Sequence, residues 1–555
     1  MKKYLFVLLS ILAIGCGEKK NEAVNISSSD VKTPFVWENA NIYFLLTDRF
    51  NNADSSNDIT FERTKETAVL RGFEGGDIKG ITQKIEEGYF NKLGINAIWF
   101  TPVVEQVHGA VDEGTGATYG YHGYWAKDWT ALDPNYGTMD DLKTLVETAH
   151  KNGIRIVLDG VINHTGPPNE VDKVWPEDWV RMDPQCDYQT YENNITCTLV
   201  RNLPDIKTES NEDVEIPKQL ADKWKAEGRY EQEMKELDDF FARTGYPKSP
   251  RFYIMKWLTD YITEFGVDGY RADTVKHTEE FVWDEFKTEC NYAFEQWKKA
   301  NPTKVIDDND FYLVGEIYNY NISSGQYFDF GDKKVNYFEN GFTSLINFEF
   351  KWNAAQVTYE ALFSRYSSIL NNELKGFGVL NYMSSHDDGD PFDKERTKPF
   401  ETATKLLLSP GASQVYYGDE SARTLIVDGT VGDATLRSNM NWDEIENSEE
   451  TKTILAHWQK LGVFRSNHPS VGAGVHKMIS AQPYIFQRTY AKENYTDAVV
   501  VGLELNEGSK ELNVSSVFKD GTVLVDAYSK NEATVKNGIV NIDTPYTLVL
   551  LENKK

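Results

Sequence analysis

Eight short runs rich in β-branched and aromatic residues recur along the chain, with longer amphipathic stretches between them. They are NIYFLLTDRF (41–50), INAIWFTPV (95–103), IRIVLDGVI (154–162), VDGYRADTV (267–275), FYLVGEIY (311–318), LINFEF (345–350), GVLNYMSSHD (378–387) and SQVYYGDE (413–420). Strand alternating with helix is the pattern of a parallel sheet, and eight such strands close a barrel. In MDDLKTLVETAHKNG, Leu142, Leu145, Val146 and Ala149 share one helical face and Gly153 ends the helix, and RFYIMKWLTDYITEFG repeats the arrangement. The reading is α/β, a (β/α)8 TIM barrel over 37–165 and 249–467. The polar interval 166–248 is too long for a structureless loop and predicts an inserted subdomain after the third strand. From 468 to 555, short alternating runs such as YIFQRTY and DAVVVGLEL, separated by NEGSK, KDG and KNG turns, predict a C-terminal antiparallel β-sandwich.

In such a barrel chemistry gathers at the C-terminal ends of the strands. The third strand ends in Asp159, Asn163 and His164, the fourth in Arg271 and Asp273, the fifth in Glu316, and the seventh in His386 and Asp387. Arg271 and Asp273 are two apart and point to one side, so Arg271 is expected to hold Asp273 ionised with both facing a pocket at the barrel mouth. An ionised aspartate beside a glutamate that can hold a proton suits glycoside hydrolysis, one carboxylate attacking the anomeric carbon while the acid protonates the leaving oxygen.

Composition narrows the partners. A formal charge of -28 over 555 residues repels nucleic acid and anionic membrane surfaces but is indifferent to a neutral substrate. Thirteen Trp and 30 Tyr exceed what packing alone usually requires, and aromatic faces suit sugar rings. The leader (1–15) carries Lys2, Lys3 and the apolar run YLFVLLSILAIG, too short to span a bilayer. It ends in LAIGC, which resembles the lipobox of bacterial lipoproteins except that Ala13 stands where leucine is usual. That likeness makes Cys16 the lipidation site and 16–36 a polar tether, placing the protein in the cell envelope, anchored to the outer membrane by lipid alone. Cys186, Cys197 and Cys290 remain, an odd number; Cys186 and Cys197 bridge or stay as free thiols.

The ordered set DGVINHTG, GVDGYRADTVKH, GEI and MSSHDD resembles the four main sequence regions of glycoside hydrolase family 13, the α-amylase family. GINAIWFTPV, LPDIK and GASQVYYGDE resemble its accessory regions, and TYGYHGYWAKDWTALDPNYGT the stretch lining its cleavage subsite. The likeness runs from about 41 to 470. It implies Asp273 as nucleophile, Glu316 as general acid/base and Asp387 gripping ring hydroxyls. It also implies His164 and His386 as donors to the same sugar, Arg271 orienting the nucleophile, Tyr124 stacking under the ring, His122 on its rim, and Lys276 and His277 on the leaving-group side.

TDRFNNADSSND with the later GGD resembles the calcium loop of cyclodextrin glucanotransferases, implying a Ca2+ held by Asn52, Asp54, Asn57, Asp58, Asp77 and the Gly75 carbonyl. The family's other calcium site would use Asn163 and Asp205, although LPDIK is closer to relatives that lack that ion. The resemblance implies an endo-acting, retaining α-1,4-glucan hydrolase of starch, glycogen or maltooligosaccharides. Thr274 after the nucleophile fits α-1,4 rather than α-1,6 specificity. A neopullulanase or cyclomaltodextrinase, a glucanotransferase, and a non-catalytic glucan-binding lipoprotein serving other glucan-uptake proteins are the alternatives. Relatives that have lost activity usually lack the nucleophile or the acid, and this chain has both.

Overall fold

The computed structural model describes residues 33–554; the leader, Cys16 and the first part of the tether lie outside them. All eight runs form strands: Asn41–Leu45, Ala97–Phe100, Arg155–Gly160, Gly269–Ala272, Tyr312–Gly315, Ser344–Asn347, Gly378–Tyr382 and Ala412–Tyr416. Each pairs in parallel with its neighbours in chain order, and the eighth pairs with the first, so the barrel closes. Every residue of these strands is buried. One face fills the barrel and the other meets the helices, which is why the runs do not alternate apolar with polar as a strand with one wet face does.

The helix Met139–Lys151 starts at a capping box between Thr138 and Asp141 and buries Leu142, Leu145, Val146 and Ala149, the face expected. The helix Pro250–Phe265 departs from expectation. It is buried along nearly its whole length rather than along one stripe. The 166–248 segment covers its outer side: Trp179 packs on Tyr253 and Trp257 (ring centroids 5.2 and 6.2 Å), and Trp224 and Phe241 close over the same surface. That segment contributes the strands Val180–Arg181 and Asp205–Ile206 and the helices Lys218–Ala226 and Tyr230–Thr244. Ten of the 13 Trp are buried, and among the described residues only Trp352 is exposed. The aromatic excess is chiefly packing.

Beyond the last barrel helix, Glu449–Asn467, the chain forms a six-stranded antiparallel sheet and a two-stranded one, Gly508–Asn513 with Ile539–Thr544. Their facing side chains, among them Val500, Leu512, Val540 and Leu551, make a core separate from the barrel's. The tether ends earlier than 36: Val36 is buried, and Phe35 lies under the Arg155 guanidinium at 3.7 Å, because both are apolar enough to pack on the barrel floor. No helix among the described residues is long and apolar enough to cross a membrane.

Candidate active site

The strand ladder carries on past the fourth and fifth strands. Asp273 N–H donates to Gly160 O and Glu316 N–H to Ala272 O, each at 3.0 Å, so adjacent strands fix the backbones of both carboxylates. Gly315 precedes Glu316 for lack of space, since a Cβ there would approach the Phe342 ring to 2.8 Å. Arg271 sits in register with Asp159 on the third strand. Its Nη1 donates to Asp159 Oδ1 (2.8 Å) and Asp273 Oδ1 (2.6 Å), and its Nη2 lies 3.2 Å from Glu316 Oε2. Three carboxylates therefore share one guanidinium. The expected place of Arg271 on the pocket wall needs correction: the three acids enclose it, and it lies buried behind the lining, beside the faces of Trp99 and Tyr124.

One cation cannot compensate three buried carboxylates, and the surplus appears in the proton affinities of Glu316 and Asp159. Burial, with the neighbouring Asp273 and Asp387 charges, pushes Glu316 up to about 8, against Arg271 and the Thr274 N–H that donates to Oε2 at 2.8 Å. Burial also raises Asp159, although Arg271, Trp99 Nε1 and the Tyr124 hydroxyl all donate to it. Asp387 goes the other way. Burial alone would raise it, but His386 and the Ser385 hydroxyl (2.8 Å) outweigh that and hold it below the usual carboxylate range.

These side chains open onto a cavity of about 600 Å³. Its wall carries Asp273, Glu316, Asp387, His122, Tyr124, His164, Lys276, His277 and His386, so of the residues expected for catalysis and sugar binding all but Arg271 are brought to one surface. The Tyr124 ring lies nearly parallel to those of His386 and His122, with centroids 5.4 and 5.9 Å away. Burial pushes all four imidazoles down, His277 and His386 to about 4. At neutral pH they are uncharged hydrogen-bonding groups, which suits a neutral, hydroxyl-rich ligand. Burial also lowers Lys276, whose ammonium stands 5.3 Å from the Tyr318 ring.

Sequence reasoning missed Arg71, Glu113, Asp433, Arg437, Tyr188 and Tyr318, which share this wall. Arg71 Nη2 donates to Val431 O and Asp433 Oδ1, both at 2.7 Å, and Arg437 pairs with the same Asp433 while its Nε reaches His386 O at 2.9 Å. The only prior signal was the Asp-x-x-x-Arg spacing within VGDATLRS, too common to single out.

The expected calcium ligands gather only in part. A Cβ on Gly75 would come within 2.4 Å of Asn52 Nδ2 and 2.7 Å of Asp58 Oδ1, so these three lie together, and Asn57 Oδ1 in the same loop is buried with no hydrogen-bond donor among the described residues. Asp54 and Asp77 are engaged elsewhere. Asp54 Oδ2 meets the Lys79 ammonium at 2.5 Å, and Asp77 caps the helix Ile78–Glu86 while accepting from Ala53 and Asp54 N–H. Among the described residues no three His, Cys, Asp or Glu side chains form a metal-holding group. At the second position considered for calcium, Arg181 Nε lies 2.9 Å from Asp205 Oδ2 and puts a guanidinium where a cation would sit. Cys186 and Cys197 form a disulfide, and Cys290 is a buried free thiol.

Residues 44–533 match the Alpha-amylase family, described as alpha amylase, catalytic domain. The periplasmic alpha-amylase of Escherichia coli (strain K12) is 35% identical over 533 residues, 84% of this chain and 73% of that protein. A cyclomaltodextrin glucanotransferase of Thermoanaerobacterium thermosulfurigenes is 27% identical, covering 91% of this chain and 66% of its own length, so the chain spans about two thirds of that relative. The crystal structure of the alpha-amylase from Geobacillus thermoleovorans complexed with acarbose superposes with a TM-score of 0.64 at 22% identity, covering 94% of this chain and 100% of that one, a likeness of fold.

Proposed function

This chain belongs to the alpha-amylase family, and from that premise we propose that it is an endo-acting, retaining hydrolase of α-1,4-glucans in which Asp273 and Glu316 carry the chemistry. One observation supports this most: both carboxylates are held by the two ends of a single buried guanidinium while one of them keeps its proton near neutrality. Arg271 occupies Asp273 Oδ1, and Oδ2, which has no donor among the described residues, is available for attack on the anomeric carbon. Glu316, protonated below about 8, delivers its proton to the departing glycosidic oxygen. The same residue, now a carboxylate, takes a proton from the water that cleaves the glycosyl-enzyme bond. Asp387 and the neutral imidazoles of His122, His164 and His386 hold ring hydroxyls, with Tyr124 against the sugar face.

Starch, glycogen and maltooligosaccharides are the substrates this reading names. Chromatography of the products from amylose, pullulan and cyclodextrin tests it: release of short maltooligosaccharides from amylose is expected, and panose from pullulan with little attack on amylose would overturn it. We further propose lipid anchoring through Cys16 in the cell envelope, checked by palmitate labelling of the chain and its loss in Cys16→Ser. Calcium would be held by Asn52, Asn57, Asp58 and the Gly75 carbonyl, where it would tie the 52–58 loop to the start of the helix Ile78–Glu86.

A further inference from the structure

We infer that the Cys186–Cys197 disulfide is a positioning element of the cleft, holding Tyr188 against the part of the cavity that receives the leaving portion of the glucan. The inference rests on the hydrolase reading. Glu316 serves the leaving oxygen, so the side chains beside it mark the leaving side. Tyr318 and Lys276 are those side chains, and the Lys276 ammonium lies 6.0 Å from the Tyr188 ring as well as 5.3 Å from Tyr318. The Arg71, Asp433 and Arg437 cluster is tied instead to His386.

The cross-linked segment is anchored to the rest of the molecule through Tyr191, whose ring meets Phe330 edge-on at 5.2 Å and whose N–H donates to Asp332 Oδ1 at 2.9 Å. Its regular structure is one short turn, Glu192–Ile195, and its ends are joined by Cys186 N–H to Thr198 O (2.9 Å) and Thr198 N–H to Pro184 O (2.8 Å). Leu199, next to it, packs only against the small cluster of Val107, Val111, Trp125 and Leu203. Yet Tyr188 is held at φ 62°, a conformation unfavourable for a bulky side chain that persists only where the surroundings impose it. Its hydroxyl donates to Leu199 O at 2.7 Å, its ring meets His277 edge-on at 5.8 Å, and the residue, 48% exposed, is part of the cavity lining. The same segment fixes His277, whose Nδ1 lies 2.9 Å from Asn194 O. Tyr191 holds one part of the segment, and the covalent link adds to that anchor by removing alternative conformations of the part that carries Tyr188.

Two substrates separate the roles. Maltotriosyl fluoride has a one-atom leaving group and reports the chemistry without leaving-side contacts; maltoheptaose needs both. In the full chain, Cys186→Ser with Cys197→Ser is expected to raise KM for maltoheptaose about tenfold with kcat changed less than about threefold, and to leave kcat/KM for the fluoride within about twofold. Tyr188→Ala alone is expected to raise KM for maltoheptaose by a similar factor, and adding the two serines to it should cost little more. Equal losses on both substrates, additive losses in the combined variant, or an unchanged KM in Tyr188→Ala would each overturn the inference, the last even if the serine variant does not fold. Absence of fluoride turnover by the unaltered chain would instead overturn the hydrolase reading beneath it.

Discussion

The barrel mouth and the junction between barrel and C-terminal sheets each bury a cation among carboxylates, with opposite results. At the mouth, Arg271 faces Asp159, Asp273 and Glu316. At the junction, His468 faces Asp497 (2.8 Å) and Glu552 (2.5 Å). The mouth has an excess of acids and opens onto a cavity, so the uncompensated charge raises Glu316 and leaves a proton ready for transfer. The junction has nearer balance. Burial opposes the charge on His468, but Asp497 and Glu552 outweigh it and raise the imidazole to about 9, while His468 helps hold Asp497 below the usual range. The same ingredients make reactivity in one place and cohesion in the other, and the deciding quantities are the ratio of acids to cations and access to a ligand.

The comparison breaks first at the acids themselves. Asp273→Asn and Glu316→Gln should each lower kcat on amylose by about 10⁴-fold or more, read as reducing-end release, with glucan binding largely retained. Removing the cation comes next. Arg271→Met should cost about 10²- to 10³-fold in kcat through lost orientation. Because Arg271 opposes the rise of Glu316, its loss should also move the alkaline limb of kcat upward. In the unaltered chain that limb should fall through about pH 8, as Glu316 loses the proton it must donate; a kcat flat to pH 10 would contradict the role given to it.

At the junction the effect should be on stability alone. His468→Ala leaves the buried Asp497 carboxylate facing the part-exposed Glu552 without a cation between them and should cost about 3 kcal/mol in denaturant unfolding, with kcat unchanged. The sign follows from a folded pKa above the usual value: the stabilisation is full below about 6.5 and is lost as pH rises through about 9, so variant and unaltered chain should converge above it. The smallest effect concerns calcium. Its addition should raise the thermal midpoint by a few degrees, and Asn57→Ala should abolish that response.

Much of this was legible in the linear chain, for reasons that particular residues show. Strands such as Ala97–Phe100 and Tyr312–Gly315 are buried on both faces and so spell uninterrupted apolar runs. Asp273 and Glu316 stand immediately past such runs, where a parallel barrel concentrates chemistry. Arg71 and Asp433 were not legible as partners, being 362 residues apart on segments without periodicity. The all-round burial of Pro250–Phe265 was equally hidden, because it depends on an insertion folding back over that helix. The choice between bridge and free thiols for Cys186 and Cys197 needed their proximity in space, which spacing alone does not supply.

By itself the sequence determined the barrel, the strand that ends in each acid and the side to which Arg271 and Asp273 point, because these follow from local periodicity and from closure of eight parallel strands. Only the tertiary structure decided that Arg271 lies behind the wall rather than on it, that burial and neighbouring charges push Glu316 up, and which distant loops complete the cleft. Those outcomes depend on how many charges meet in one buried volume, and that number is set when separate parts of the chain converge.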